Sequence, residues 1–316
     1  MRRVLVTGGS GFLGSSAVRA LASDPRVELV VSGDVREPAS TPDGVVVEAC
    51  DVTDALAVAA VVREHRIDTI VHLAAIVNPG ALDEEIEYLV DVEGTRNVLD
   101  AAVAYGVSRI VVSSSGAAYG YHADNPEWLR EDDAIRGNEE FSYSRHKRLV
   151  EEMLADYREA HPALEQVVLR IGTILGPTVA NQITALWDGP RILAIRGSDS
   201  PFVFVWVDDV VGAIATAATG EATGAFNVAG DGRVTVHEIA AALDKRTLTL
   251  SPALLAFALR AGRALRLTVH GPERVGFLRY RPVLANARLK SELGYVPAKT
   301  SREAFDAYLA ARAAGA

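Results

Sequence analysis

Residues 6–14 read VTGGSGFLG. Val6 closes a short apolar run, and four of these nine residues are glycine. The stretch is either a tight turn on the way into a helix or a loop whose backbone N–H groups cradle a phosphate. Gly-rich turns between strands and helices are common, so the surrounding chain has to decide.

To either side, two hydrophobic periods alternate. Apolar, β-branched runs occupy 3–7, 27–34, 44–49, 69–75, 109–115 and 166–171, as expected of strands buried on both faces. Segments with helical spacing lie between them, at 11–23, 54–64, 83–105 and 142–160. Thr53-Asp54 reads as an N-cap pair before the second of these. Strand then helix, repeated, predicts an α/β fold with a doubly wound parallel sheet. After about residue 172 the rhythm breaks at Gly172, Gly176, Pro177, Gly189 and Pro190, although 202–207 and 225–230 read as further strands. Segment 252–267 reads as a helix with Arg260, Arg263 and Arg266 three apart, either a solvated face or an anion-binding wall.

In this setting the glycines acquire reasons. Gly8, Gly11 and Gly14 are spaced G-x-x-G-x-x-G between a strand and a helix. The first permits the tight turn, the second a close approach of backbone to pyrophosphate, the third close packing of helix on sheet. The helix N-terminus adds free donors and the positive end of its dipole. Asp34 ends the next strand, twenty residues past Gly14, where a carboxylate binds the ribose hydroxyls of adenosine. That carboxylate repels a 2′-phosphate, so NAD is expected ahead of NADP, with Arg36 as the residue that could clamp such a phosphate. Asp51 and Val52, after the third strand, are candidates for the adenine edge; Asp51 is equally readable as a surface residue before a helix.

A second constellation is YSRHK, 143–147. Tyr143 and Lys147 are four apart on a predicted helix and share a face. The triplet SSS at 113–115 ends a strand upstream. A tyrosine is a weak base at neutral pH, but a neighbouring ammonium and a nicotinium charge both favour the phenolate. The lysine reaches ribose hydroxyls, a serine hydroxyl hydrogen-bonds the substrate oxygen, and a proton moves with the hydride.

With these residues in view, the chain resembles the extended short-chain dehydrogenases/reductases of the NAD-dependent epimerase/dehydratase family. TGGSGFLG, Asp34, Asp51-Val52, HLAA (72–75), VEGT (92–95), SSSGAAYG (113–120), YSRHK and WVDDV (206–210) match family stretches in order. The resemblance implies a Rossmann domain over 1–172, rejoined by about 203–230, and a smaller substrate-binding region over 173–202 and 231–316. Carried over by position, Ser115, Tyr143 and Lys147 are catalytic. Gly8, Gly11, Phe12, Leu13, Gly14, Asp34, Asp51, Val52, Leu73, Ala74 and Ala75 line the cofactor, together with Tyr143 and Lys147.

Several positions depart from the family. Asp91 stands where an asparagine is usual, and Thr173 where an asparagine often follows the sixth strand. Gly116 and Ala117 occupy the acidic pair of the dehydratases, so water elimination lacks its acid and base. Phe202 and Val203 replace the Arg-Asp of many sugar-nucleotide enzymes, and Trp206 replaces a histidine. Arg191, Arg196, Arg279 and Arg281 remain as phosphate partners.

Composition bounds the alternatives. The 316 residues are 49% hydrophobic and 23% charged, ordinary for a soluble protein with a large core. A net charge of −9 disfavours nucleic acid as partner. The lone Cys50 forms no intramolecular disulfide and fits a reducing compartment. Glycines interrupt the N-terminal apolar run too early for a signal peptide. No stretch approaches the roughly 18 apolar residues that span a bilayer. A cytoplasmic protein without membrane contact is therefore expected, with a homodimer as one open state of assembly. The seven histidines form no H-x-x-x-H, so no metal site is expected, and His72 reads as packed or cofactor-adjacent. Three functions follow in order. The first is epimerisation of a sugar, with a nucleotide-linked sugar as the leading case. The second is a dehydrogenase or ketoreductase on another carbonyl or alcohol. The third is an NAD-binding sensor or scaffold without turnover.

Overall fold

Alternating strands and helices in the first half build one sheet, and the computed structural model describes residues 1–77, 83–179, 181, 183–268 and 271–315. β1 (Arg2–Thr7) leads into α1 (Phe12–Ala22), then β2 (Val27–Asp34) and β3 (Val45–Ala49). Next come α2 (Ala55–Glu64) and β4 (Thr69–His72). Asp54 caps α2 by accepting from the amides of Leu56 and Ala57. α3 (Glu84–Tyr88) and α4 (Gly94–Ala104) follow, joined by a π-turn over Leu89–Glu93. β5 (Arg109–Ser115), α5 (Ser142–Ala160) and β6 (Glu165–Ile171) complete the alternation.

The second half holds β7 (Thr173–Leu175), β8 (Arg191–Ile195), β9 (Phe204–Trp206), α6 (Val207–Thr219) and β10 (Gly224–Val228). After these come α7 (Val236–Ala242), β11 (Arg246–Leu250), α8 (Pro252–Ala264), α9 (Arg274–Arg279), α10 (Ala287–Ser291) and α11 (Ser301–Gly315).

Seven strands form a parallel sheet in the order β10-β6-β5-β4-β1-β2-β3. Successive side chains of a strand enter opposite layers. Leu5 thus joins α2, α4 and α5 in one core, while Val4 and Val6 join α1 and α6 in the other. Both faces being covered, the strands read as unbroken apolar runs. The chain reverses its order of winding between β1 and β4, and the carboxyl ends of those strands open the crevice where ligands bind in such sheets.

Three expectations change. The strand expected at 69–75 stops at His72, so Leu73, Ala74 and Ala75 form a loop at the crevice. The helix expected over 83–105 carries the π-turn at Asp91. The strand expected at 202–207 shortens to β9, which pairs with β7 outside the main sheet, while β8 pairs with β11. These small strands pack on a separate aromatic core of Trp187, Phe202, Phe204, Phe305 and Tyr308. No described helix is long and apolar enough to cross a membrane.

Candidate active site

The glycine loop lies at the carboxyl end of β1. Gly8 has φ of +70°, and a Cβ there would stand 2.7 Å from the amide nitrogen of Ala74. A Cβ on Gly14 would stand 2.0 Å from the carbonyl oxygen of Gly8. These contacts pack the first turn of α1 and the 73–75 loop directly on the glycine turn. Gly11 is the N-cap of α1, its backbone is extended, and no side chain caps the helix. The first-turn amides, Phe12, Leu13 and Gly14, therefore lack intrahelical acceptors and are free to meet an anion.

Asp34 ends β2 beside this loop and is 8% exposed. One carboxylate oxygen accepts from the Ser10 amide at 3.0 Å and the other from the Arg36 amide at 3.0 Å. Each oxygen retains a lone pair for a ribose hydroxyl. The Arg36 guanidinium lies 3.7 Å from the same carboxylate with its side chain mostly exposed. Glycine cradle, free helix amides and oriented carboxylate fit a dinucleotide. Asp34→Ala is expected to narrow the preference for NAD over NADP, because it removes the repulsion and frees Arg36. Titration of both cofactors checks this, and a parent chain preferring NADP would make Arg36 the phosphate clamp.

Asp51 is exposed, and its carboxylate accepts from the Thr53 amide at 2.9 Å and hydroxyl at 2.8 Å. Val52 is buried in the core against Gly94, leaving only its backbone to offer a ligand.

Ser115 ends β5, and its Oγ accepts from the Ala117 amide at 3.1 Å, which leaves its proton to donate. Tyr143 stands in the first turn of α5 and Lys147 one turn on. Lys147 is buried, and its Nζ donates to the Ser113 carbonyl at 2.9 Å and lies 5.6 Å from the Tyr143 ring centroid. The Ser144 hydroxyl donates to the Ala117 carbonyl at 2.6 Å, pinning α5 to the turn after Ser115. The three candidates thus gather at one end of β5 and α5, on the crevice side of the sheet.

His72 is a buried brace beneath them. The Thr95 hydroxyl donates to the Asp91 carbonyl at 2.6 Å, so it accepts from His72 Nε2 at 3.0 Å. His72 Nδ1 then accepts from the Thr7 hydroxyl at 2.7 Å. Burial, with Lys147 adding to it against Asp91, pushes the imidazole down to about 3. In the unfolded chain the same group titrates near 6.5. Below that pH the unfolded state binds the proton and the folded state does not, so acidification removes stability, at a limit of about 1.4 kcal/mol per pH unit. Urea unfolding between about pH 7 and pH 5 is expected to show this slope, and His72→Gln to flatten it. Equal slopes in parent and variant would exclude the brace as the cause.

Asp91, the departure from asparagine, has a tertiary partner. One oxygen accepts from the Ile76 amide at 2.8 Å, as an asparagine oxygen would. The other faces His146 Nδ1 at 3.1 Å. Both residues are buried, and His146 Nε2 has no hydrogen-bond partner among the described residues. Asp91 thereby ties the loop after β4 to the residue preceding Lys147. Sequence reasoning flagged Asp91 but missed His146.

It also missed an aromatic cluster over the site. Tyr121 meets Phe277 and Phe141 edge-on at centroid distances of 5.0 and 5.5 Å. Arg281 lies over Phe202 at 3.9 Å and over Phe277 at 5.4 Å; Arg274 lies over Phe277 at 5.5 Å. Neither guanidinium is in a salt bridge with a described carboxylate. Burial, then the nearby Tyr143, pushes the Tyr121 phenol up, against the pull of Arg281 and Arg274. Of the four arginines singled out by sequence, Arg191 and Arg196 are exposed, while Arg279 and Arg281 bury unpaired Nε groups. Gly116 packs under Leu284 and Ala117 is buried, so no side chain reaches out from the positions of the dehydratase acids. Asp209 of WVDDV is structural: it accepts from Tyr295 Oη at 3.0 Å and from the Ala298 amide at 2.6 Å.

The model of the NAD dependent epimerase/dehydratase family matches residues 4–229. The chain belongs to this family. Its relatives include an uncharacterized protein of Mycobacterium tuberculosis, 27% identical over 98% of this chain and 84% of its own. The dTDP-glucose 4,6-dehydratase of Streptomyces griseus is 28% identical over 93% of this chain and 89% of its own. Among solved structures, the NAD complex of UDP-glucose 4-epimerase from Thermus thermophilus is 26% identical. Its TM-score is 0.70, covering 97% of this chain and 99% of that one. This epimerase/dehydratase family member is an extended short-chain dehydrogenase/reductase enzyme, and its cofactor is NAD.

Proposed function

We propose that the enzyme oxidises and reduces a secondary alcohol of a sugar, with Ser115, Tyr143 and Lys147 as catalytic residues, and that the net reaction is epimerisation of a nucleotide sugar. The observation that carries this reading is the pair Tyr143 and Lys147 on one face of α5, with Lys147 anchored to Ser113 beside Ser115. NAD supplies the hydride acceptor when bound. Tyr143 takes the proton of the substrate hydroxyl and returns it. Lys147 places its positive charge by the Tyr143 ring and offers further N–H donors to ribose hydroxyls. Ser115 donates its free proton to the substrate oxygen and orients it. Residues 1–172 with 203–230 serve NAD in this scheme, and 173–202 with 231–316 serve the substrate; the main sheet draws its strands from the first set alone.

Support for a nucleotide-linked substrate comes from Arg274 and Arg281, two guanidiniums in no salt bridge with a described carboxylate, which suit a diphosphate. Phe202 and Val203, both buried, favour the second reading, a dehydrogenase or ketoreductase on a substrate without a nucleotide. An epimerase returns the hydride and keeps its cofactor; a dehydrogenase releases reduced cofactor each cycle. Incubation with UDP-, GDP- and dTDP-sugars separates them. Interconversion of isomers without net NADH is expected. Inertness to every nucleotide sugar, with NADH formed from a simple secondary alcohol, would establish the second reading.

A further inference from the structure

α8 is apolar on the side that meets the protein and apolar on the side that does not. Leu255 is its only buried residue. Leu254, Phe257, Leu265 and Leu267 are 53, 66, 69 and 79% exposed. At 100° per residue, Leu254, Phe257, Ala258, Ala261 and Leu265 fall in one stripe about 100° wide, turned away from Leu255. An exposed apolar stripe of this width ordinarily meets a partner, and no described residue of this chain covers it.

Charge identifies the partner. Arg260, Arg263 and Arg266 are exposed along the same segment, and 252–268 contains no acidic residue. Arg263 has one distant ion pair, to Glu273 at 3.6 Å. The whole chain carries −9, so this is a local positive face on an acidic protein. A second copy seated on the stripe by two-fold symmetry would bring the flanking Arg260 of both helices together with no acid in either segment to pair them. Anionic lipid headgroups supply the missing charge, and the acyl boundary takes the apolar stripe.

We propose that α8 docks the enzyme on an anionic lipid surface, with Leu254, Phe257 and Leu265 entering the headgroup–acyl boundary, Arg260 and Arg266 contacting phosphates at its edges, and Arg263, on the opposite side of the helix, left to Glu273. The expectation of no membrane contact rested on the absence of a spanning segment; lying on a bilayer needs only such a helix.

Flotation of the purified chain with phosphatidylcholine vesicles, with and without phosphatidylglycerol, tests this. Binding is expected only where phosphatidylglycerol is present, and added salt should weaken it. Phe257→Ser is expected to lower vesicle affinity about tenfold or more, and Arg260→Gln about fivefold, with NAD binding unchanged in both. In Phe257→Trp the indole emission should shift to shorter wavelength on adding those vesicles. Failure of the parent chain to float with phosphatidylglycerol vesicles would overturn the proposal. So would a parent dimer that Phe257→Ser converts to monomer, which would give the stripe to a second copy.

Discussion

Tyr143→Phe is expected to lower turnover by about 10²- to 10⁴-fold, the usual worth of a positioned acid–base group. The substitution removes one hydroxyl and keeps the ring that lies 5.6 Å from Lys147 Nζ. No described hydrogen bond of the fold uses that hydroxyl, since α5 is held by Ser144, Lys147 and Glu151 instead. NAD affinity and the urea midpoint should therefore stay close to the parent values. Single-turnover measurement of NADH formation at saturating substrate isolates the step. A variant turning over at the parent rate would move proton transfer to another group, and Tyr121, in electrostatic contact with Tyr143, would be the next to test.

The second large effect is on stability. Arg170 of β6 and Glu151 of α5 form a buried pair, 6 and 8% exposed. Arg170 donates to Glu151 from Nε at 3.0 Å and from its terminal nitrogen at 2.7 Å. Ser114 adds a donor to Glu151 at 2.5 Å, and Arg170 also donates to Tyr119 Oη and the Glu131 carbonyl, each at 2.8 Å. Removing one partner strands the other charge away from water, a loss of about 3–5 kcal/mol. Glu151→Ala and Arg170→Met should each lose stability on this scale in urea unfolding. The double variant Glu151→Leu with Arg170→Met should lose less than the two singles added together, because no charge remains unpaired. Additive losses would mean that the two residues act independently. Glu151 follows Tyr143 and Lys147 at helical spacing, so the same pair holds the face of α5 that carries them against the ends of β5 and β6.

Some of this was legible in the chain alone. The glycine spacing after β1, Asp34 at the end of β2, and Tyr143 with Lys147 are local patterns. Steric freedom of glycine, strand alternation and helical spacing act over a few residues and leave their mark in the sequence. The parallel sheet followed in the same way from runs buried on both faces. The short strands β7, β8 and β11 did not, because three to five residues carry too little periodicity to be told from loop.

Asp91 marks the boundary between the two kinds of information. Its departure from asparagine was visible, but its meaning depended on His146, 55 residues away, and on the Ile76 amide. Glu151 with Arg170, His72 between Thr7 and Thr95, and Arg281 over Phe202 are of the same kind. A buried charge or ring nitrogen must find its partner across the folded core, since leaving it unpaired there is costly. Which residue answers it is decided by how β5, β6 and α5 pack, and that choice is written in three dimensions rather than in neighbouring residues. The exposed stripe of α8 is the converse case. The sequence marked 252–267 as a helix by its arginines, and only the packing revealed an apolar stripe that no described residue covers.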